Sequence, residues 1–169
     1  MGVDNTFMSP YGQRPIEMGV DIVMHSSTKS LSGHSDILGG ALITNDDELA
    51  EKLQFMQKAT GAVPSPFDCW LILRSTKTLD LRYQKAADNA NVLAWWLAKQ
   101  KKLDRVIYPG LKSHPQYDIA VKQQRTPNGD VIFGNMISFD ISSIKARDRF
   151  INKLEIFTLA ESLGGVESL

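Results

Sequence analysis

The residues best suited to chemistry surround one lysine, in the stretch SSTKSLSGH at positions 26–34. Lys29 follows hydroxyl side chains and precedes a glycine, directly behind the apolar run 22–24. The end of a strand presents a Schiff-base lysine in this way. Ser26 and Thr28 are neutral hydrogen-bond donors that suit a cofactor phosphate. Taken alone, this short motif favours a plainer interpretation, a solvated lysine in a serine-rich loop, because short motifs give many false matches.

A second candidate is Asp4, which follows the apolar Val3 and precedes a loop that contains Pro10. A parallel sheet would present this carboxylate at the carboxyl edge of a strand. A carboxylate there suits pyridoxal phosphate, whose ring withdraws electrons only while its nitrogen is protonated, and a nearby negative charge favours that protonated form. The alternative for Asp4 alone is a turn or capping residue, which is common for an aspartate beside an asparagine.

Five motifs along the chain carry a family resemblance. They are VDNTFMSPY at 3–11, MHSSTKSLSGHSD at 24–36, GAVPSP at 61–66, VIYPGL at 106–111 with SHP at 113–115, and FTLAESLGGVESL at 157–169. In this order they resemble the cystathionine γ-synthase and γ-lyase family, the pyridoxal-phosphate enzymes of trans-sulfuration. The ordered set is more specific than the lysine motif by itself.

The resemblance implies a role for each matching residue near the cofactor. Lys29 matches the lysine that binds the cofactor covalently and then acts as general base at substrate carbons. Asp4 matches the carboxylate beside the pyridine nitrogen, and Ser26 and Thr28 match ligands of the phosphate. The cofactor implied by the resemblance is therefore pyridoxal 5'-phosphate.

At the other end of the chain, the resemblance implies two residues that contact a small amino-acid substrate. Ser162 matches a residue at the amino-acid end of the substrate, and Glu161 matches a position that varies with substrate preference. An acid there is closer to the cystathionine-processing members than to the methionine γ-lyases. The implied reaction makes or breaks a C–S bond at the γ-carbon. A methionine γ-lyase, an O-acylhomoserine sulfhydrylase and a non-catalytic fragment that acts through chain association remain alternatives.

Compared with the family, the chain resembles an internal fragment of a longer enzyme. In the family, the tyrosine that stacks on the cofactor and the glycine-bearing phosphate loop come before the position of Asp4. The arginine that binds the substrate carboxylate comes after the position of Ser162. The expectation is therefore that this chain alone is incomplete as an enzyme. The resemblance also implies a homo-oligomer, a tetramer in the family.

The composition excludes several other classes of function. The 169 residues include 19 basic and 19 acidic side chains, and no basic run is longer than the pair at 101–102. This balance argues against nucleic acid or a membrane surface as partner. The only cysteine is Cys69, and the three histidines lack the spacing of a metal site, so no metal is expected. Without a secretory signal or a membrane-length apolar run, the expected location is the cytoplasm.

Short elements are expected to position these residues. They are a short helix at 16–18, strands at 21–25 and 39–44, a helix capped by Asn45 and ended by Gly61, and a helix at 67–74. Glu48, three residues after Asn45, completes a capping-box pattern. In the helix at 67–74, Trp70 and Leu73 require burial, and Cys69 is expected in the core beside Trp70.

The region 78–100 carries apolar residues at alternating spacings of four and three, which predicts a long amphipathic helix. Its stripe consists of Leu79, Tyr83, Ala86, Ala90, Leu93 and Leu97. The pair Trp95-Trp96 near its end favours packing between domains or subunits over a ligand site.

Past this helix the pattern is mixed, with strands expected at 105–108 and 135–141 and helices at 115–124 and 144–154. This pattern predicts an α/β fold class, and the resemblance implies that the chain is part of a fold-type I pyridoxal-phosphate transferase large domain followed by part of a smaller α+β C-terminal domain. The expected division assigns residues 1–103, including the long helix, to the large domain and 104–169 to the smaller one.

Overall fold

The computed structural model describes all 169 residues. Its elements in chain order are β1 (Gly2–Asp4), α1 (Ser9–Gly12), a 3₁₀ turn (Pro15–Met18), β2 (Ile22–Ser26), a π-type turn (Ser27–Leu31), β3 (Gly40–Ile43), α2 (Asp47–Thr60), α3 (Pro66–Thr76), α4 (Leu79–Leu97), β4 (Leu103–Ile107), α5 (Tyr117–Gln123), β5 (Ser138–Ile141) and α6 (Ile144–Ile151). The mixture of strands and helices confirms the α/β prediction. We name Ser27–Leu31 the lysine turn, since Lys29 is its central residue.

The first sheet has the order β1-β2-β3, with β2 in the centre. β1 runs parallel to β2, with Asp4 opposite Met24, and β3 runs antiparallel to β2. Asp4 therefore ends β1, and the lysine turn follows β2 at the same edge of the sheet. Residues two apart on a strand share a face, as do paired residues on neighbouring strands, so Asp4 and Ser26 lie on one face.

The second sheet consists of β4 and β5, which pair antiparallel with Ile107 opposite Ser138. α6 follows β5 and places the ring of Phe150 against that of Phe139, with centroids 5.6 Å apart. The elements predicted after residue 101 are all present, although β5 begins three residues later than the sequence pattern indicated. Residues 152–169 contain no helix or strand.

Helix α4 packs against two apolar clusters, one along each half of its length. The first contains Met8, Leu79, Tyr83, Ala87 and Ile132, and the second contains Ala90, Ala94, Tyr108 and Leu111. The predicted stripe was wrong at two positions, because the structure buries Ala87 and Ala94 and leaves Ala86 and Leu93 half-buried. The small side chain of Ala94 leaves room for the buried ring of Tyr108.

Helix α2 lies on the surface and buries none of its residues. Its N-cap is Asp46 and not the predicted Asn45, since the Asp46 carboxylate accepts a hydrogen bond from Leu49 N–H at 2.9 Å. Gly61 ends the helix, as predicted, in the left-handed conformation with φ of +72°.

Helix α3 also presents apolar side chains to the surface. Trp70 and Leu73 are 57% and 67% exposed, so the prediction that they are buried was wrong for this chain. Trp70 stacks on Phe67 of the same helix, and Cys69 is half-buried and not in the core. None of the helices, α3 and the longer α4 included, combines the length and apolar composition required to cross a bilayer.

Candidate active site

The lysine turn presents Lys29 at the carboxyl edge of the first sheet. At Lys29 the backbone has φ of −89° and ψ of −129°, which interrupts the helical run on either side of it. The side chain is half-buried, and none of the ion pairs in the chain includes it. The amine is therefore not engaged with a carboxylate and is available to react.

Asp4 is oriented by Thr6, two residues further along. Its Oδ1 atom accepts a hydrogen bond from the Thr6 hydroxyl at 2.6 Å and another from Thr6 N–H at 2.9 Å. Both bonds favour the ionised carboxylate, and they lower the pKa of Asp4, the hydroxyl having the larger effect. The carboxylate is therefore charged at neutral pH, as a partner of a protonated ring nitrogen must be.

Thr6 also connects Asp4 to the next strand. Its Oγ1 atom accepts a hydrogen bond from Ser26 N–H at 2.8 Å while its proton is donated to Asp4. One buried hydroxyl thereby joins the carboxyl ends of β1 and β2. The sequence analysis did not identify Thr6. The available signal was the D-x-T spacing, in which an aspartate accepts from the backbone two residues on.

The two predicted phosphate ligands differ in their surroundings. Ser26 contributes its backbone N–H to the sheet edge, and none of the hydrogen bonds in the chain uses its half-buried hydroxyl. The Thr28 hydroxyl accepts from Gly39 N–H at 3.0 Å and donates to Gly39 O at 3.3 Å. Because Gly39 O also accepts from Ser27 N–H at 2.9 Å, Thr28 can donate its proton to an external acceptor without leaving that carbonyl unpaired.

The loop after Asp4 is fixed from inside. The buried side-chain amide of Asn5 donates to Ser9 O at 3.1 Å and to Gln13 O at 2.8 Å. The Tyr83 hydroxyl of α4 donates to Phe7 O. These bonds connect the loop internally and join it to α4, whose Tyr83 belongs to the first apolar cluster. The position of Asp4 therefore depends on the packing of that cluster.

His25 lies one residue before Ser26, on the opposite face of β2. It is buried, and its Nδ1 atom has no hydrogen-bond partner. Burial lowers the pKa of His25, and the negative charge of Asp4 opposes this shift in part. The buried imidazole therefore packs within the fold and is not presented to the site.

Arg82 of α4 supports the lysine turn from one side. Its guanidinium donates to Ser30 O at 2.9 Å, to Ser75 O at 2.9 Å and to Thr78 Oγ1 at 3.1 Å. Burial lowers the pKa of Arg82. No local pattern in the sequence indicated this contact, because Arg82 and Ser30 are 52 residues apart.

The C-terminal segment approaches the lysine turn from another side. Glu161 and Ser162 are both exposed. Two residues further on, Gly164 packs against the backbone of Lys29 and Ser30, and Val166 N–H donates to Gly33 O at 3.1 Å. The structure therefore brings the segment that carries the predicted substrate residues to the predicted catalytic lysine.

These residues fit pyridoxal phosphate. The site offers an unpaired lysine amine, an ionised carboxylate on the neighbouring parallel strand, and a hydroxyl at Ser26 with no partner in the chain. The buried Ser27 and Ser30 hydroxyls, which lie within the turn on either side of Lys29, also lack partners. No group of histidine, cysteine, aspartate and glutamate side chains could hold a metal ion.

Comparison with known proteins gives a consistent result. The family model described as Cys/Met metabolism PLP-dependent enzyme matches residues 1–169. The chain is 53% identical over 167 residues to cystathionine gamma-lyase of Dictyostelium discoideum and 50% identical over 168 residues to cystathionine beta-lyase of Coxiella burnetii. These matches cover 99% and 98% of this chain and 42% of each relative, so the chain spans less than half of their length.

The fold is also that of a solved structure. The crystal structure of cystathionine gamma synthase from Xanthomonas oryzae pv. oryzae, in complex with cystathionine, is 44% identical and superposes with a TM-score of 0.91. It covers 98% of this chain, which corresponds to 42% of that structure. The likeness confirms the predicted fold class, part of a fold-type I pyridoxal-phosphate enzyme.

Proposed function

The chain belongs to the Cys/Met metabolism family of PLP-dependent enzymes, and on this premise we propose that the protein makes or breaks a C–S bond of cystathionine. The observation that carries the proposal is the position of Lys29. Its unpaired amine lies at the sheet edge where the ionised Asp4 ends the neighbouring parallel strand. A structural lysine would not require this arrangement.

Each residue of the site has one task in the proposed reaction. Pyridoxal phosphate, when bound, supplies a ring that withdraws electrons from the α-carbon of the substrate. Lys29 would hold the cofactor covalently through Nζ, and its freed amine would then take and return protons at substrate carbons. Asp4 would favour the protonated ring nitrogen. Ser26 and Thr28 would hold the phosphate through their side-chain hydroxyls.

Cystathionine is the substrate or product that the relatives favour. Proteins named gamma-lyase, beta-lyase and gamma-synthase match this chain at similar identity, and cystathionine occurs in all three names. Glu161 supports the same choice, because an acid at this position resembles the cystathionine-processing members. Ser162 would contact the amino-acid end of the substrate. No feature of the site favours synthesis over cleavage, and we leave the direction open in the proposal.

The proposal extends to organisation and location. We divide the chain near Leu103, where α4 has ended and the second sheet begins, into residues 1–103 of a large cofactor-binding domain and 104–169 of a smaller one. A homo-oligomer agrees with the apolar side chains that α3 exposes. A cytoplasmic location agrees with the single cysteine, which rules out an internal disulfide.

The test is selective labelling of Lys29. The chain is incubated with pyridoxal phosphate and reduced with borohydride, and the modified lysines are located by peptide mass mapping. Saturable labelling at Lys29 is expected, with only background labelling at exposed lysines such as Lys77 and Lys101. The control is Lys29→Ala, which removes the labelled amine and no ion pair. Scattered labelling that survives in Lys29→Ala would contradict the proposal.

A further inference from the structure

Gly164 lies closer to the lysine turn than any other residue type could. Its φ is +77°, and a Cβ atom built on it would lie 2.5 Å from Ser30 N, 2.6 Å from Ser30 Oγ and 3.0 Å from the Lys29 carbonyl carbon. Contacts under 3 Å to backbone atoms cannot be relieved by a side-chain rotation, so the backbone itself would have to move. A side chain at position 164 would therefore displace the lysine turn or the C-terminal segment.

Two other glycines with positive φ have no such close contact. Gly61 has φ of +72° and Gly129 has φ of +89°, and a Cβ atom on either would meet nothing within 4 Å. These two positions require glycine for conformation alone, since each is at a turn or helix end. At Gly164 the same conformation coincides with a close contact to the residue pair that contains Lys29.

The lysine turn is held on a second side by Arg82, which donates to Ser30 O. Ser30 is thus contacted by the guanidinium of α4 and by Gly164, and its own hydroxyl is buried without a partner. If a side chain at position 164 displaced Ser30, the hydrogen bond from Arg82 to Ser30 O would therefore be lost. Lys29 is the adjacent residue and would move with it.

We propose that Gly164 is a positioning residue for Lys29. Through its contact with Lys29 and Ser30 it sets the separation between the lysine amine and the preceding residues 161–162, which carry the proposed substrate contacts. This inference rests on the proposed function. It adds that the C-terminal segment, and not only the sheet, determines the position of the Lys29 amine.

The test compares Gly164→Ala with Gly61→Ala, which imposes the same conformational cost without a neighbour. For each variant of the chain, the rate of borohydride-trapped labelling at Lys29 and the midpoint of thermal unfolding are measured. In the absence of cofactor, amide hydrogen exchange is followed in peptides that cover 27–33 and 163–167. Gly164→Ala is expected to slow Lys29 labelling roughly tenfold and to speed exchange in both peptides, whereas Gly61→Ala changes neither.

The outcomes separate this inference from the proposed function. Equal labelling rates in the two alanine variants would overturn the role of Gly164. Faster exchange at 163–167 with an unchanged labelling rate would also overturn it, since Gly164 would then serve only to hold its own segment. An unmodified chain that shows no selective labelling at Lys29 would overturn the proposed function, and the positioning role with it.

Discussion

The two parts of the proposed site differ in how much secondary structure and hydrogen bonding fixes their residues. The cofactor part, which contains Asp4, Thr6, Ser26 and Lys29, lies at the edge of a three-stranded sheet, and partly buried hydrogen bonds of Thr6 connect Asp4 to Ser26. The substrate segment, residues 157–169, has no helix or strand, and most of its residues are exposed. The close approach of Gly164 attaches it to the lysine turn, and the bond from Val166 N–H to Gly33 O attaches it just beyond the turn.

This difference matches the two tasks that the proposed function assigns to the site. Holding one cofactor requires fixed positions, which a sheet edge with paired polar groups provides. Selecting among related amino acids requires side chains that can change without disturbing the fold, and exposed residues such as Glu161 and Ser162 meet that condition. We therefore expect substitutions in the first part to alter cofactor binding and those in the second to alter substrate choice.

The largest effect is expected for Asp4→Asn. The substitution removes the negative charge beside the proposed ring nitrogen, and a hydrogen bond to a charged group contributes roughly 1.5–3 kcal/mol, which is about 10- to 100-fold in affinity. Titration of the chain with pyridoxal phosphate, followed by absorbance, measures the change. Asp104→Asn, an exposed carboxylate on β4, is the control and should bind normally. Equal affinity in both variants would exclude the role of Asp4.

A smaller effect is expected for Thr6→Val, which removes the hydroxyl that lowers the pKa of Asp4. The pKa of Asp4 then rises, so cofactor binding should begin to fail at a higher pH as the solution is acidified. The substitution removes the bonds of the hydroxyl to Asp4 and from Ser26 N–H; at neutral pH the loss of the bond to Asp4, about 1 kcal/mol, predicts roughly fivefold weaker binding. Thr6→Ser keeps the hydroxyl and should restore the pH profile. If cofactor binding by Thr6→Val fell at the same acidic pH as in the unchanged chain, the hydroxyl would not control the pKa of Asp4.

The stability of the folded chain should also depend on pH because of His25. Burial lowers its pKa below the ordinary value, so the unfolded chain binds a proton more readily than the folded chain. The stability due to neutral His25 is complete above about pH 6.5 and is lost as the pH falls through the lower, folded pKa. Thermal unfolding between pH 5 and pH 8 tests this. In His25→Asn the acid-side slope should be shallower, and an unchanged slope would assign it to another group.

No effect on cofactor labelling is expected for Glu161→Val, which sharpens the contrast between the two parts. The side chain is exposed and belongs to neither the sheet nor the lysine turn. The variant should label at Lys29 at the rate of the unchanged chain. In the holoenzyme, its turnover of cystathionine relative to methionine should fall. Slower labelling would place Glu161 in the cofactor part, and an unchanged turnover ratio would remove it from substrate selection.

The sequence predicted the parts of the site that depend on neighbouring residues. Asp4 and Lys29 each follow a short apolar strand, and the structure places both at the predicted sheet edge. Arg82 and Gly164 were not predicted, since their contacts with Ser30 bridge 52 and more than 130 residues and leave no local pattern. The exposed Trp70 and Leu73 show a second limit, because an apolar pattern indicates which face requires burial but not what covers it.

The contact between Gly164 and Ser30 also orders events during synthesis. A ribosome adds roughly 5–20 residues per second, so Gly164 is made on the order of ten seconds after Ser30. Local elements form in far less than a second, so this interval is long enough for the first sheet and α4 to form before Gly164 is made. The nascent chain therefore carries a nearly finished lysine turn whose last contact is still missing.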